Sequence, residues 1–216
     1  MDALTTRRIR VLDGLHFSFK LLEHHHANMY GACAAIPSDN TRIIPALASC
    51  WGFIDVMHRL RELAQSVPGL GGRRIELREF LSSTSLAERY RHYIQHLRSE
   101  LAKADPNPSP VWGSLSWVDP DDVQLSHTVM IGARLPQTTY SGAVFDRQEC
   151  RWVSRVCLGV ESTSFNFDPM FESAAKFDKF VVPWILSQDG EKLTVTNEFQ
   201  IVSTRIVITK GKQLTR

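Results

Sequence analysis

Asp105-Pro106-Asn107-Pro108-Ser109-Pro110 divides the chain. Prolines at alternate positions remove backbone donors and push each preceding residue out of the helical region, so no helix crosses this stretch. On its N-terminal side apolar residues recur at three- and four-residue intervals, and on its C-terminal side they alternate. The fold class that follows is α+β. An N-terminal α-helical bundle over residues 1–105 precedes a β-rich portion with one helix over residues 110–216.

Moving back from the break, Ser85-Leu86-Ala87-Glu88 has the form of a capping box. It opens a helix with a buried stripe of Leu86, Tyr90, Tyr93, Ile94, Leu97 and Leu101. A short helix is expected over 74–81, after the stop signal Pro68-Gly69-Leu70-Gly71-Gly72. Earlier still, a helix starts near Thr41 with Pro45 in its first turn, where a missing N–H is harmless. Trp51, Ile54, His58 and Arg61 lie along its edge. Ile36-Pro37-Ser38-Asp39-Asn40 separates it from a long helix over 5–35, striped by Leu12, Leu15, Phe19, Leu22, His26, Met29 and Cys33.

Moving forward, residues 111–118, 127–135 and 138–145 alternate as strands do. Asp146-Arg147-Gln148-Glu149 forms a hairpin turn into a strand over 150–160. A helix is expected over 169–186, bent near its end by Pro183, and 193–209 supplies one or two further strands. Trp112, Trp117, Trp152 and Tyr140 are candidates for base stacking, although in alternating strands such residues more often fill a core or a sheet face.

The formal net charge of +2 is too small to require nucleic acid or an acidic membrane as partner. No apolar run approaches the ~20 residues of a membrane span, and no signal-peptide core follows Met1, so a cytoplasmic chain is expected, with no membrane partner. Cys33, Cys50, Cys150 and Cys157 form no CxxC pair and read as reduced thiols. Placed on one strand, Cys150 and Cys157 fall on opposite faces and cannot bridge. In Glu23-His24-His25-His26 the consecutive histidines fan around a helix instead of recurring at i and i+4. His26 therefore reads as a buried or interface histidine, and no metal or cofactor is expected. No P-loop, GxSxG or dinucleotide fingerprint is present.

The residues that carry chemistry are in Arg89-Tyr90-Arg91-His92-Tyr93-Ile94-Gln95-His96-Leu97. On one continuous helix Arg89 and His96 lie within about 20° of each other, with His92 beside them. Arg91 and His96 stand about 140° apart, so Arg91 meets a His96 most easily from a second copy. RNA cleavage without a metal needs a base for the 2′-hydroxyl, an acid for the leaving 5′-oxygen, and charge on the phosphate. Histidine titrates near pH ~6.5 and serves as either acid or base, and arginine grips two phosphate oxygens at once.

Arg91-His92-Tyr93-Ile94-Gln95-His96, on the last helix before the break, resembles the arginine-to-histidine motif of the HEPN domain family. Two long helices, a short one and the motif helix also resemble the HEPN arrangement over roughly residues 1–105. His92 stands where the family most often has asparagine or aspartate. The resemblance implies a HEPN-like, metal-independent endoribonuclease acting as a homodimer, in a toxin or antiviral system. RNA is then the substrate, and an antitoxin or regulatory protein is an implied partner. His96 and Arg91 carry the reaction in this reading, and Arg89 or His92 assists. Arg73, Arg74 and Arg78 are candidates to extend the RNA-binding surface, although Glu76 and Glu79 interleave with them. The alternative is a non-catalytic binding or interaction protein on the same bundle. An enzyme acting on small molecules in a pocket between the two halves is a third reading, supported by no motif. The β-rich half is left to dock substrate, a regulator or the second protomer.

Overall fold

Helix α1 (Ala3–Ala35) and helix α2 (Ile43–Ser66) are joined by a short 3-10 turn, Asn40–Arg42. The computed structural model describes residues 2–71, 74–103, 109–132, 138 and 140–188. Arg73, most of the proline-rich break and the strands expected over 193–209 lie outside the described residues. Arg7 Nη2 donates to Ser66 O at 3.1 Å, and His25 lies over Gly52, so α1 and α2 run antiparallel. A Cβ at Gly52 would come within 2.5 Å of the His25 ring, and one at Gly14 within 2.8 Å of Leu63. Both glycines therefore let the helices approach closely.

Helices α3 (Ile75–Ser83), α4 (Leu86–Gln95) and α5 (Leu97–Leu101) complete the helical half. The capping box does not form. Ser85 itself adopts helical angles and its side chain caps nothing. Glu88 instead reaches Arg61 Nη2 at 3.0 Å. Arg61 is buried on α2, where Nη1 also donates to Leu81 O and to Thr84 Oγ1. A buried guanidinium needs this many partners, so it claims the carboxylate that the cap would have used.

Strands β1 (Ser114–Val118), β2 (Ser126–Met130), β5 (Val156–Val160) and β6 (Thr163–Asn166) make an antiparallel sheet in the order β2-β1-β5-β6. Strands β3 (Phe145–Asp146) and β4 (Arg151–Trp152) form a separate hairpin around the expected turn. Helix α6 (Phe167–Ser187) follows β6 directly and contains Pro183. The molecule is thus α+β, with the strands shorter than their alternation suggested. Most of the expected strand over 138–145 is not one: residues 140–144 carry no strand, and Tyr140 is exposed.

Pairing places Leu115 opposite Leu158 and Leu158 opposite Phe165. By the two-residue period, Trp117, Val156 and Val160 share their face. All belong to the core that α1, α2, α4 and α6 complete, so the core crosses from the helical to the β-rich half without interruption. The opposite face carries Ser114, Ser116, Cys157 and Gly159, and Ser114 Oγ donates to Ser141 O above it at 2.7 Å. A Cβ at Gly159 would stand 2.6 Å from that same carbonyl.

One side chain joins α4 to the sheet. The hydroxyl of buried Tyr90 lies 2.8 Å from Leu158 O and 2.9 Å from Thr163 O, and its ring meets Phe165 edge-on at 5.3 Å. Burial raises the phenol to about 12. Tyr90→Phe keeps the ring but removes the hydrogen bond that ties α4 to the sheet. It is expected to lower stability by about 1–3 kcal/mol in urea unfolding, and an unchanged midpoint would show that the hydroxyl is not an anchor.

Candidate functional site

Helix α4 ends at His96 (φ −110°, ψ 21°), where a continuous helix to Leu101 was expected. Leu101 is consequently exposed, not part of a buried stripe. No glycine or proline marks this break. The His92 and His96 rings are both exposed and lie 4.2 Å apart between centroids. Sequence reasoning placed these two residues together, and the fold does so.

The arginines are placed differently. Arg91 does not stand free on the polar face opposite the core. It is half-buried against α2, with Nη1 3.0 Å from Asp55 Oδ1. The other oxygen of Asp55 accepts from Arg59 Nε at 2.8 Å. Arg91 Nε is buried and finds no hydrogen-bond partner among the described residues. Electrostatic pairing with Asp55, invisible in the helix's own sequence, turns Arg91 inward. Arg89 Nη2 stands 3.8 Å from Glu161 Oε2 across the surface, a separation and exposure that give little energy. Arg74 is exposed at the start of α3. Arg78 lines a groove of about 650 Å³ between α3 and α6, together with Glu76, Phe80 and Lys176. Lys176 Nζ meets Glu79 at 2.7 Å on the groove's rim. No residue of α4 lines it.

Beside Arg91 lies a small cavity of about 130 Å³, walled by Trp51, Ile54, Ile94 and Trp112. Trp112 is not a strand residue but sits in the turn before β1, where it is 46% exposed and meets Trp51 edge-on. Trp117 is buried, and Trp152 donates its indole N–H to Val123 O.

A second group of polar side chains escaped sequence reasoning. Asp168, in the first turn of α6, takes His26 Nε2 at 3.0 Å and the Tyr30 hydroxyl on the same oxygen. The other oxygen accepts the backbone N–H of Arg155 at 2.9 Å and its Nε at 3.2 Å, while Arg155 Nη2 lies 3.3 Å from the first. The guanidinium stands 4.3 Å from the Tyr30 ring centroid, and the His26 ring stacks on Phe171 at 4.1 Å. His26 is thus the partly buried histidine its place on the stripe indicated. His26 and Tyr30, four apart, share one face of α1, and that much was readable. Asp168 lies 142 residues from His26, and nothing local announces it.

Burial is the largest single influence on Asp168 and pushes its carboxyl up. The hydrogen bonds from His26, from Arg155 and its backbone, and from Tyr30 together outweigh it and hold the group well below the usual carboxylate range. Burial, and then Asp168, push the Tyr30 hydroxyl well above its ordinary value.

The cysteines are free thiols. Burial raises Cys33 to about 12 and Cys157 to about 11, and raises Cys50 strongly. Cys150 and Cys157 do not share a strand, because Cys150 occupies the hairpin turn with φ 51°. Among the described residues, no helix is long and apolar enough to cross a membrane. No protein-family model, curated protein or solved structure matches the chain.

A depressed carboxyl contributes stability that is complete above its unfolded value, about 3.9, and is lost as pH falls through the folded one. Asp168→Asn is expected to cost about 2–4 kcal/mol at pH ~7. The gap to wild type should stay constant down to about pH 5 and narrow below about pH 4. Urea unfolding at stepped pH measures it. A gap that does not narrow in acid would mean that the ionised carboxylate is not what binds these elements.

Proposed function

We propose that the protein is a HEPN-like, metal-independent endoribonuclease that acts as a homodimer, with RNA as substrate. The observation that carries this reading is the exposed His92–His96 pair, set at the end of α4 with ring centroids 4.2 Å apart. Two imidazoles side by side offer a base for the 2′-hydroxyl and an acid for the leaving oxygen. Across a two-fold axis, two such pairs would face one phosphate. His96 and His92 are the groups assigned to the reaction, and Arg89 supplies charge one turn away from His92. Arg91 enters as a positioning residue, since Asp55 holds it and it reaches phosphate only by leaving that carboxylate. A role in a toxin or antiviral system, with an antitoxin or regulator as partner and the cytoplasm as compartment, belongs to the same reading.

The ion pairs favour a second reading. Arg91 is occupied by Asp55 and Arg89 faces Glu161, so both arginines of α4 already have a carboxylate beside them. A binding protein on the same bundle, without catalysis, accounts for that arrangement.

Wild type, His96→Ala and His92→Ala, each confirmed folded by circular dichroism, are incubated with single-stranded and hairpin RNA in EDTA. Cleavage leaving 2′,3′-cyclic phosphate ends is expected from wild type, slowed at least about 10²-fold in His96→Ala. Equal rates in wild type and His96→Ala overturn the assignment. A folded wild type that binds RNA or a protein saturably without cutting supports the second reading. Asp55→Asn separates the two roles of Arg91: tighter RNA binding means that Arg91 is drawn to phosphate once released, and unchanged binding means that it only holds α4 to α2.

A further inference from the structure

A cavity of about 530 Å³ opens beside the Asp168 cluster, with no residue of α4 in its walls. Its walls include Tyr30, Gly31, Trp117, Val123, Arg155 and Val156. That volume falls within the ~300–1,000 Å³ typical of small-molecule sites, and so does the lining, which is mainly apolar with few polar groups. We propose that this cavity binds a flat organic anion: an aromatic body with a carboxylate or sulfonate head. The site is separate from the histidine pair, and the proposal does not depend on ribonuclease activity.

The head group is assigned by Arg155. Asp168 takes its backbone N–H, its Nε and its Nη2, which fixes the guanidinium in place. The side chain is still 63% exposed, whereas that of Asp168 is 16% exposed. Asp168 shares its charge with His26 and Tyr30 as well, so it does not spend it on Arg155 alone. A held guanidinium at the rim of an apolar cavity matches a planar anion, which it can meet with paired N–H groups. The body is assigned by the walls. Tyr30 has committed its hydroxyl to Asp168 and carries the Arg155 guanidinium over its ring, so it offers the cavity the rest of that ring, and the largely buried Trp117 supplies part of its indole. Flat groups pack well on such faces.

Gly31 is the independent observation. Gly14 and Gly52 are explained by helix packing, because a Cβ at either would strike a side chain of the opposite helix. Gly31, exposed in the same α1, has nothing from beyond its own helix turn within 4 Å of its Cβ position among the described residues. A glycine inside a helix weakens it relative to alanine, and none of the described side chains approaches here to explain it. It lines the cavity, and it leaves that wall open for close approach by a ligand.

The probes are 8-anilinonaphthalene-1-sulfonate, 2-naphthoate and the neutral 2-naphthalenemethanol, titrated into the full chain by fluorescence. Naphthoate is expected to saturate a single site, to displace the dye, and to bind at least about tenfold tighter than the alcohol. Gly31→Trp, which fills the cavity beside Tyr30 and Arg155 while leaving Asp168 and its partners in the sequence, should abolish naphthoate binding. Arg155→Gln should weaken naphthoate at least about tenfold and leave the alcohol unchanged. If Arg155→Gln fails to fold, Gly31→Trp and the comparison of anion with alcohol still decide. Equal naphthoate affinity in wild type and Gly31→Trp, equal affinity for anion and alcohol, or no saturable naphthoate binding overturns the proposal.

Discussion

The Tyr90 hydroxyl, lying between the carbonyls of Leu158 and Thr163, is the contact on which the arrangement of the molecule turns. These carbonyls belong to adjacent strands, and a phenol has one proton to offer them. The helix that bears the candidate histidines is therefore registered against the sheet by a group that cannot slide along it. Tyr93 adds a second tie, from its hydroxyl to Val111 O just after the proline-rich break. Around Tyr90 the rings of Phe53, Phe165 and Phe167 pack edge-to-face or tilted, so α2, β6 and α6 meet at the same place. The helical half and the β-rich half differ in sequence pattern, but they bury one core.

Two groups of polar side chains flank that core, and they are built differently. His92 and His96 lie on the surface and touch each other. Of the arginines on the same helix, Arg91 is held by Asp55 and Arg89 faces Glu161. His26, Tyr30, Arg155 and Asp168 are drawn inward and satisfy a single carboxylate. The first has the exposure that a large substrate needs. The second has the rigidity of a structural joint, because Asp168 ties α1 to α6 and to the chain entering β5, and a cavity beside it exploits that rigidity.

Much of the fold was legible because its signals are local. The spacing of Leu12, Leu15, Phe19 and Leu22 marks α1, Pro45 falls in the first turn of α2, and Asp146 begins the hairpin turn. Two of the misreadings share one cause, which is a partner distant in sequence. Ser85 and Glu88 spell a capping box, yet buried Arg61 takes Glu88. Arg91 sits where a helical wheel exposes it, yet Asp55 on α2 draws it in. The interruption at His96 has no glycine or proline to announce it, and it ends the expected buried stripe before Leu101. The Asp168 cluster was half readable: the spacing of His26 and Tyr30 is local, but their acceptor is not.

Strand β5 touches both regions at once. Val156 forms part of the cavity wall, and Leu158, two residues on, accepts the Tyr90 proton on the helix of the histidines. A central strand bonded on both sides is a stiff element. If occupancy of the cavity alters the free energy with which α4 binds its own ligand, linkage makes that effect reciprocal: occupancy at α4 must alter the affinity of the cavity by the same factor. In that case a single strand of five residues connects the two ligands.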